Sequence, residues 1–197
     1  MPAAALIWDP VLATYGFGPG HPLDPRRLEL TVDLIGRMGL AGGPDRPVVA
    51  PRPATEAELE RAHAPEYVEA VERLSGPEPD RAEARRWGLG TLDTPLVEGM
   101  HEAARLVAGG TLVAAELVMS GAVRRAFNPA GGLHHAGRAR ASGFCVYNDL
   151  AVAVRWIQAE HGARVMIIDY DAHHGDGTQE IFYEDPDVLT VSFHESG

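Results

Sequence analysis

Residues Asp169-Tyr170-Asp171-Ala172-His173-His174-Gly175-Asp176-Gly177 place three carboxylates and two imidazoles within nine positions, directly after the apolar run Val165-Met166-Ile167-Ile168. That many ionisable groups at the end of a buried strand are costly unless something uses them. Asp169, Asp171 and His173 recur at every second position, so in an extended chain their side chains point to one side. Carboxylate oxygen with imidazole nitrogen is a ligand set suited to zinc or Fe(II). The alternative is a polar loop with scattered charges. A second cluster lies upstream: Gly131-Gly132-Leu133-His134-His135-Ala136, then Ser142-Gly143-Phe144-Cys145-Val146-Tyr147-Asn148-Asp149. Adjacent histidines in a glycine-rich loop suit proton transfer, because imidazole ordinarily titrates at about pH 6.5.

Something must hold these clusters. The apolar N-terminus up to Asp9 reads as a first strand. Asp24-Pro25 opens a helix with Leu28, Val32, Ile35 and Met38 or Leu40 on one face, ending at the glycines near 39–43. Val48-Val49-Ala50 is a short strand, and Thr55 with Glu58 fits a capping box. A helix starts at Pro65. Residues 76–90 read as a loop, either a rim of the site or a plain connection.

A long small-residue helix spans about 98–120, with Gly109-Gly110 expected to weaken or bend it. A short strand near 123–127 leads into the first histidine loop. Asn148 or Asp149 caps the next helix, which ends at His161-Gly162. The strand 164–169, a short helix 178–183 and the strand 188–193 complete the pattern. Alternating strands and helices at these spacings predict right-handed crossovers and a parallel sheet. The chemistry then falls at the carboxyl ends of strands, where open α/β sheets place their sites.

The composition narrows the function classes. A chain of 197 residues with 45% apolar content is sized for one domain. Its net charge is −11, from 17 basic and 28 acidic residues, and no Lys/Arg run exceeds two. That argues against nucleic acid or an anionic membrane as partner and allows a cationic ligand such as a polyamine. No apolar stretch approaches the roughly 20 residues of a membrane span. The N-terminus has no basic region and too short an apolar run for a signal peptide, so a cytoplasmic location is the default expectation. The single cysteine, Cys145, excludes an internal disulfide framework and reads as a small buried residue.

The blocks resemble the N-terminal half of the histone deacetylase superfamily, with its acetylpolyamine amidohydrolases and acetoin-utilisation-type deacetylases. The resemblance is carried by Tyr15 through His21-Pro22, Gly132-Leu133-His134-His135, Gly143-Phe144-Cys145 with Asn148-Asp149, Asp169 through Gly177, and Thr190-Val191-Ser192-Phe193-His194. Trp87 through Pro95 is most similar to the acetoin-utilisation branch. The resemblance implies an α/β fold, a three-layer open parallel sheet with helices on both faces. Residues 1–197 would be the N-terminal portion of a single such domain.

By position in the family motif, Asp171 and His173 would be two of three metal ligands, for zinc or alternatively Fe(II). His134 and His135 would be the acid–base pair, with Asp169 orienting His134 and Asp176 orienting His135. Asp169 would also help hold a structural potassium ion. His174 would not be a ligand. Gly143 and Phe144 would form the substrate channel wall. The implied reaction is hydrolysis of an acetyl-amide, either an acetylated small molecule or an acetyl-lysine protein.

The family's third metal ligand and its oxyanion-stabilising tyrosine belong to a C-terminal half, while this sequence stops at Gly197. The expected fold is therefore a truncated one, whose open sheet would favour assembly, including a homo-oligomer. Two other readings stand beside the deacetylase: an arginase-like metallohydrolase, and a catalytically inactive remnant or binding module.

Overall fold

A computed structural model describes residues 2–18 and 20–196. The elements in chain order are β1 (Ala5–Ile7), a 3₁₀ turn (Pro10–Thr14), α1 (Arg26–Arg37), β2 (Val48–Val49), α2 (Glu56–Leu59), α3 (Pro65–Leu74) and α4 (Arg81–Arg86). There follow α5 (Met100–Met119), β3 (Ala126–Phe127), α6 (Asp149–His161), β4 (Val165–Asp169), α7 (Asp176–Phe182) and β5 (Val188–Ser192). Every strand pairing is parallel, as the α/β reading requires. The strands form two hydrogen-bonded groups among the described residues, β2-β1-β3 and β4-β5.

Local chemistry explains most of the boundaries. The Asp24 carboxylate accepts from the Arg26 N–H at the start of α1. Thr55 and Glu58 complete the reciprocal capping box of α2. Asn148 caps α6 by accepting from the Ala151 N–H, and Gly162 ends it in the left-handed region at φ 59°. The core packs α5 and α6 against each other, with α5 also against β1 and β3. Ile7, Leu112, Ala108 and Val152 are fully buried there.

Three expectations need correction. Residues 76–90 are not all loop: Asp80 accepts from the Ala82 and Glu83 N–H groups and starts α4. At six residues α4 is too short to display a helical period. The glycine pair expected to weaken or bend α5 lies inside a continuous helix, Met100–Met119. A Cβ on Gly109 would overlap the Arg52 carbonyl oxygen, and one on Gly110 would crowd the Asn128 amide, so both glycines serve close approach. On α1 only Leu28 is buried, with Val32 and Ile35 half-buried, while Met38 and Leu40 are exposed because nothing among the described residues covers that end. The run Val165–Ile168 reads as a buried strand, yet only its Ile167 face is covered. Met166 and Ile168 point the other way and are exposed.

Candidate functional site

The first histidine loop runs from the end of β3 to the start of α6, and its backbone is pinned by buried polar groups. The Asp149 carboxylate accepts from Thr111 Oγ1 at 2.6 Å, from the Leu133 N–H at 2.7 Å and from the Gly132 N–H at 3.1 Å. Burial pushes the Asp149 carboxyl above the usual range, against the pull of those hydrogen bonds. A side chain on Gly131 would overlap that carboxylate. Asn148 Nδ2 donates to the carbonyls of His134 and Ala136 and to Thr178 Oγ1, and the Thr178 N–H donates to the His134 carbonyl at 3.0 Å. The sequence marks Asn148 and Asp149 as helix caps, and their second task of holding the histidine loop has no local signal.

This scaffold places His134 and His135 side by side, with ring centroids 4.1 Å apart. His134 Nδ1 lies 2.6 Å from Asp169 Oδ2, and His135 Nδ1 lies 2.6 Å from Asp176 Oδ1. An ionised carboxylate only accepts, so each ring donates from Nδ1 and each keeps Nε2 for other work. A carboxylate partner of this kind fixes the tautomer and raises imidazole basicity. The glycines of the second cluster make the contact possible. A Cβ on Gly175 would overlap the Asp169 carboxylate, and one on Gly177 would overlap the His135 and Ala136 carbonyls.

Asp171 and His173 reach the same cleft from the loop after β4, and His134 Nε2 is 3.9 Å from Asp171 Oδ1. Burial pushes the Asp171 carboxyl up, but the His173 backbone N–H and ring bonds overcome it and leave the group below its ordinary value. Asp171 Oδ1 and His173 Nδ1 are 2.9 Å apart. Two donors at about 2.0–2.1 Å around one tetrahedral zinc ion would stand about 3.3 Å apart, so this pair fits an ion after a small spread. No third His, Cys, Asp or Glu joins them in a metal-holding group among the described residues. His174 turns elsewhere: its Nε2 donates to Gln179 Oε1 at 2.6 Å and its ring lies 4.7 Å from that of His194.

The cleft encloses about 480 Å³ and is also lined by Gly143 and Phe144. Ser142 and Cys145 pair across a two-residue turn in which Gly143 has φ 49° and Phe144 has φ 72°. Positive φ at both central positions is the primed hairpin geometry, and it is strained for phenylalanine. Gly143 has no alternative, since a Cβ there would overlap the His135 ring. The turn sets the Phe144 ring 4.7 Å from His21, edge to face. His21 in turn accepts from the Leu23 N–H at Nδ1 and donates from Nε2 to the Asp93 carbonyl. Arg27 and Asp93 line the cleft as well, and sequence reasoning singled out neither. Burial lowers the Arg27 guanidinium pKa. Cys145 is buried behind the turn, and burial pushes its thiol up to about 12, which disfavours the thiolate.

With that geometry in hand, likeness to known proteins is informative. The model of the Histone deacetylase domain matches residues 21–197. The chain belongs to the histone deacetylase family. It is 48% identical over 194 residues to the acetoin utilization protein AcuC of Bacillus subtilis, covering 98% of this chain and 50% of that protein. It is 42% identical over 193 residues to AcuC of Staphylococcus aureus, again with 98% of this chain and 49% of the relative covered. Among solved structures, an HDAC homologue from Aquifex aeolicus superposes with a TM-score of 0.88 at 33% identity, over 98% of this chain and 51% of that one. An HDAC homologue complexed with SAHA gives a TM-score of 0.87 at 32% identity, over 99% of this chain and 51% of that one. The chain thus spans about half the length of the relatives it matches.

Proposed function

We propose that residues 1–197 form the N-terminal portion of a single deacetylase domain that hydrolyses an acetyl-amide to acetate and free amine. The observation that carries this reading is the pair of adjacent His–Asp couples, each 2.6 Å long, beside Asp171 and His173 in one cleft. One imidazole Nε2 takes a proton from water as it attacks the acetyl carbonyl. The other, entering the step as the imidazolium, gives its Nε2 proton to the departing nitrogen as the C–N bond breaks, so the pair carries one extra proton before and after. Asp169 and Asp176 hold both rings in the tautomer that leaves Nε2 directed at the substrate. Asp171 and His173 would hold a zinc ion, or alternatively Fe(II). When bound, such an ion supplies Lewis-acid polarisation of the carbonyl and a more acidic water.

Phe144 and Gly143 would wall the channel for the amine-bearing stem, with acetyl-lysine and acetylated polyamine as the two substrate classes. A third metal ligand and an oxyanion donor would come from beyond Gly197. No tyrosine lines the cleft among the described residues: Tyr15 is buried against other cavities, the Tyr67 and Tyr147 hydroxyls bond to the Val146 carbonyl and to His101, and Tyr170 and Tyr183 are exposed.

The test is acetate release by the full-length protein from acetyl-lysine peptides and acetylated polyamines. His135→Ala should lower turnover by about 10²-fold or more and leave bound metal unchanged, as removal of an acid–base group does. Loss of metal in that variant would make His135 a ligand and overturn its assigned role. Urea release from arginine in place of acetate would favour the arginase-like reading. SAHA should compete with substrate for the cleft.

A further inference from the structure

Two buried histidines, His63 and His101, lie outside both motif clusters and have no part in the chemistry above. His63 sits between α2 and α3 and is completely inaccessible. Its Nδ1 is 3.1 Å from the Gly137 carbonyl oxygen, and its Nε2 is 3.0 Å from the Asn148 backbone nitrogen. A carbonyl can only accept and an amide N–H can only donate, so the partners select the neutral ring protonated at Nδ1. Two neighbours act in the same direction. The Ala64 N–H donates to the Arg138 carbonyl at 2.8 Å, and the Tyr67 hydroxyl donates to the Val146 carbonyl at 2.7 Å.

These bonds grip the loop 137–148 at both of its ends. Between the ends lies the turn that holds Phe144 at positive φ, a conformation that persists only when its surroundings over-determine it. Asn148 carries the grip onward. Its backbone N–H is held by His63, and its side chain holds the carbonyls of His134 and Ala136.

We infer that His63 is a positioning residue that clamps the two ends of the loop 137–148, and so sets the place of Phe144 and of the His134–His135 backbone. The catalytic consequence rests on the deacetylase reading above; the clamp itself does not. The apolar ring of phenylalanine, somewhat larger than imidazole, fills the space but makes neither bond. Glutamine, with one donor and one acceptor at similar reach, replaces both in part. A displacement of about 1 Å at a reacting group can cost about 10²-fold in rate.

The experiment compares His63→Phe and His63→Gln in the full-length protein with zinc bound. Hydrogen exchange of the 137–148 segment and steady-state kinetics are read on acetyl-lysine and acetyl-ornithine peptides, whose stems differ by one methylene. His63→Phe should accelerate exchange across 137–148, lower kcat by about 10- to 10²-fold, and shift the preference between the two stems, while zinc content is unchanged. His63→Gln should restore most of each. A folded His63→Phe protein with unchanged exchange and unchanged stem preference overturns the inference. So does a loss of activity that only tracks the folded fraction. If His63→Phe does not fold, Tyr67→Phe removes one bond of the same grip, and faster exchange at 137–148 with a shifted stem preference is again the supporting result, their absence the opposing one. If the unsubstituted protein cleaves no acetyl-amide, the deacetylase reading fails, and the exchange measurements still decide the clamp.

Discussion

Ile7 and Ile168 are the same residue type in strands of the same parallel kind, yet Ile7 is fully buried and Ile168 is 46% exposed. β1 has a strand on each edge and α5 against it, whereas β4 pairs only with β5 among the described residues. The contrast extends to the site. The loop after β3 is fixed by buried groups, with Asn148, Asp149 and His63 almost inaccessible. The loop after β4 carries Asp171 and His173, whose side chains are 51% and 75% exposed. The proposed proton-transfer pair is thus preorganised by a finished core, while the candidate metal donors stand on a sheet covered on one face. Electrostatic interactions are stronger where water is excluded, so the second region gains most from any further cover.

The largest effect that would sharpen this contrast is in the core. Leu112, fully buried in the helix that packs on β1, should cost about 2–5 kcal/mol when changed to alanine. Urea denaturation of the 197-residue chain measures it. A cost below about 1 kcal/mol would mean that the first region is no better packed than the second.

The same division governs what the sequence made readable. Thr55–Glu58, Asn148 and Gly162 could be read as caps because each acts within a few residues of itself. The two histidine clusters were readable because five ionisable groups after an apolar run are rarely idle. His63, by contrast, lies 85 positions from Asn148, and nothing in Arg61-Ala62-His63-Ala64-Pro65 marks it as more than a helix start. The close approaches that the α5 glycines permit were hidden for a similar reason: their partners, Arg52 and Asn128, are distant in sequence. The exposure of Met166 and Ile168 was hidden because an apolar run carries no record of which face is covered.

A smaller effect, distributed over the first region, is its response to acid. Burial holds the His63 pKa near 4, against an ordinary value of 6.5. Between those values the unfolded chain binds a proton that the folded chain refuses, so stability is full above pH 6.5 and falls as pH drops toward 4. The slope is about 1.4 kcal/mol per pH unit, some ~3 kcal/mol in all. Burial also lowers the His101 pKa, which adds a loss of the same sign. Glu58, held near 2 by the Arg52 guanidinium and its capping bonds despite partial burial, acts only at lower pH. Denaturation midpoints at a series of pH values should therefore decline from pH 6.5 downward, and His63→Gln should flatten that decline. An unchanged slope in the variant would assign the acid response to other groups.

The smallest expected effect belongs to the second region. In the register of β4 and β5, Met166 pairs with Leu189, and both are more than half exposed. Tyr170 and Phe193 stack beyond them with ring centroids 5.9 Å apart, extending the apolar surface. Because those side chains are already in water, Met166→Ser with Leu189→Ser should change the stability of the 197-residue chain by no more than about 0.5 kcal/mol per site. Contiguous exposed apolar surface favours association, so the double variant should also sediment with less self-association than the parent chain. In the full-length protein the same pair should cost several times more if further residues cover this face, since each change would then remove buried apolar surface at roughly 25 cal/mol per Å². Equal, small costs in both forms would mean that the face stays open to solvent in the longer protein, and that the contrast between the two regions is intrinsic to the fold.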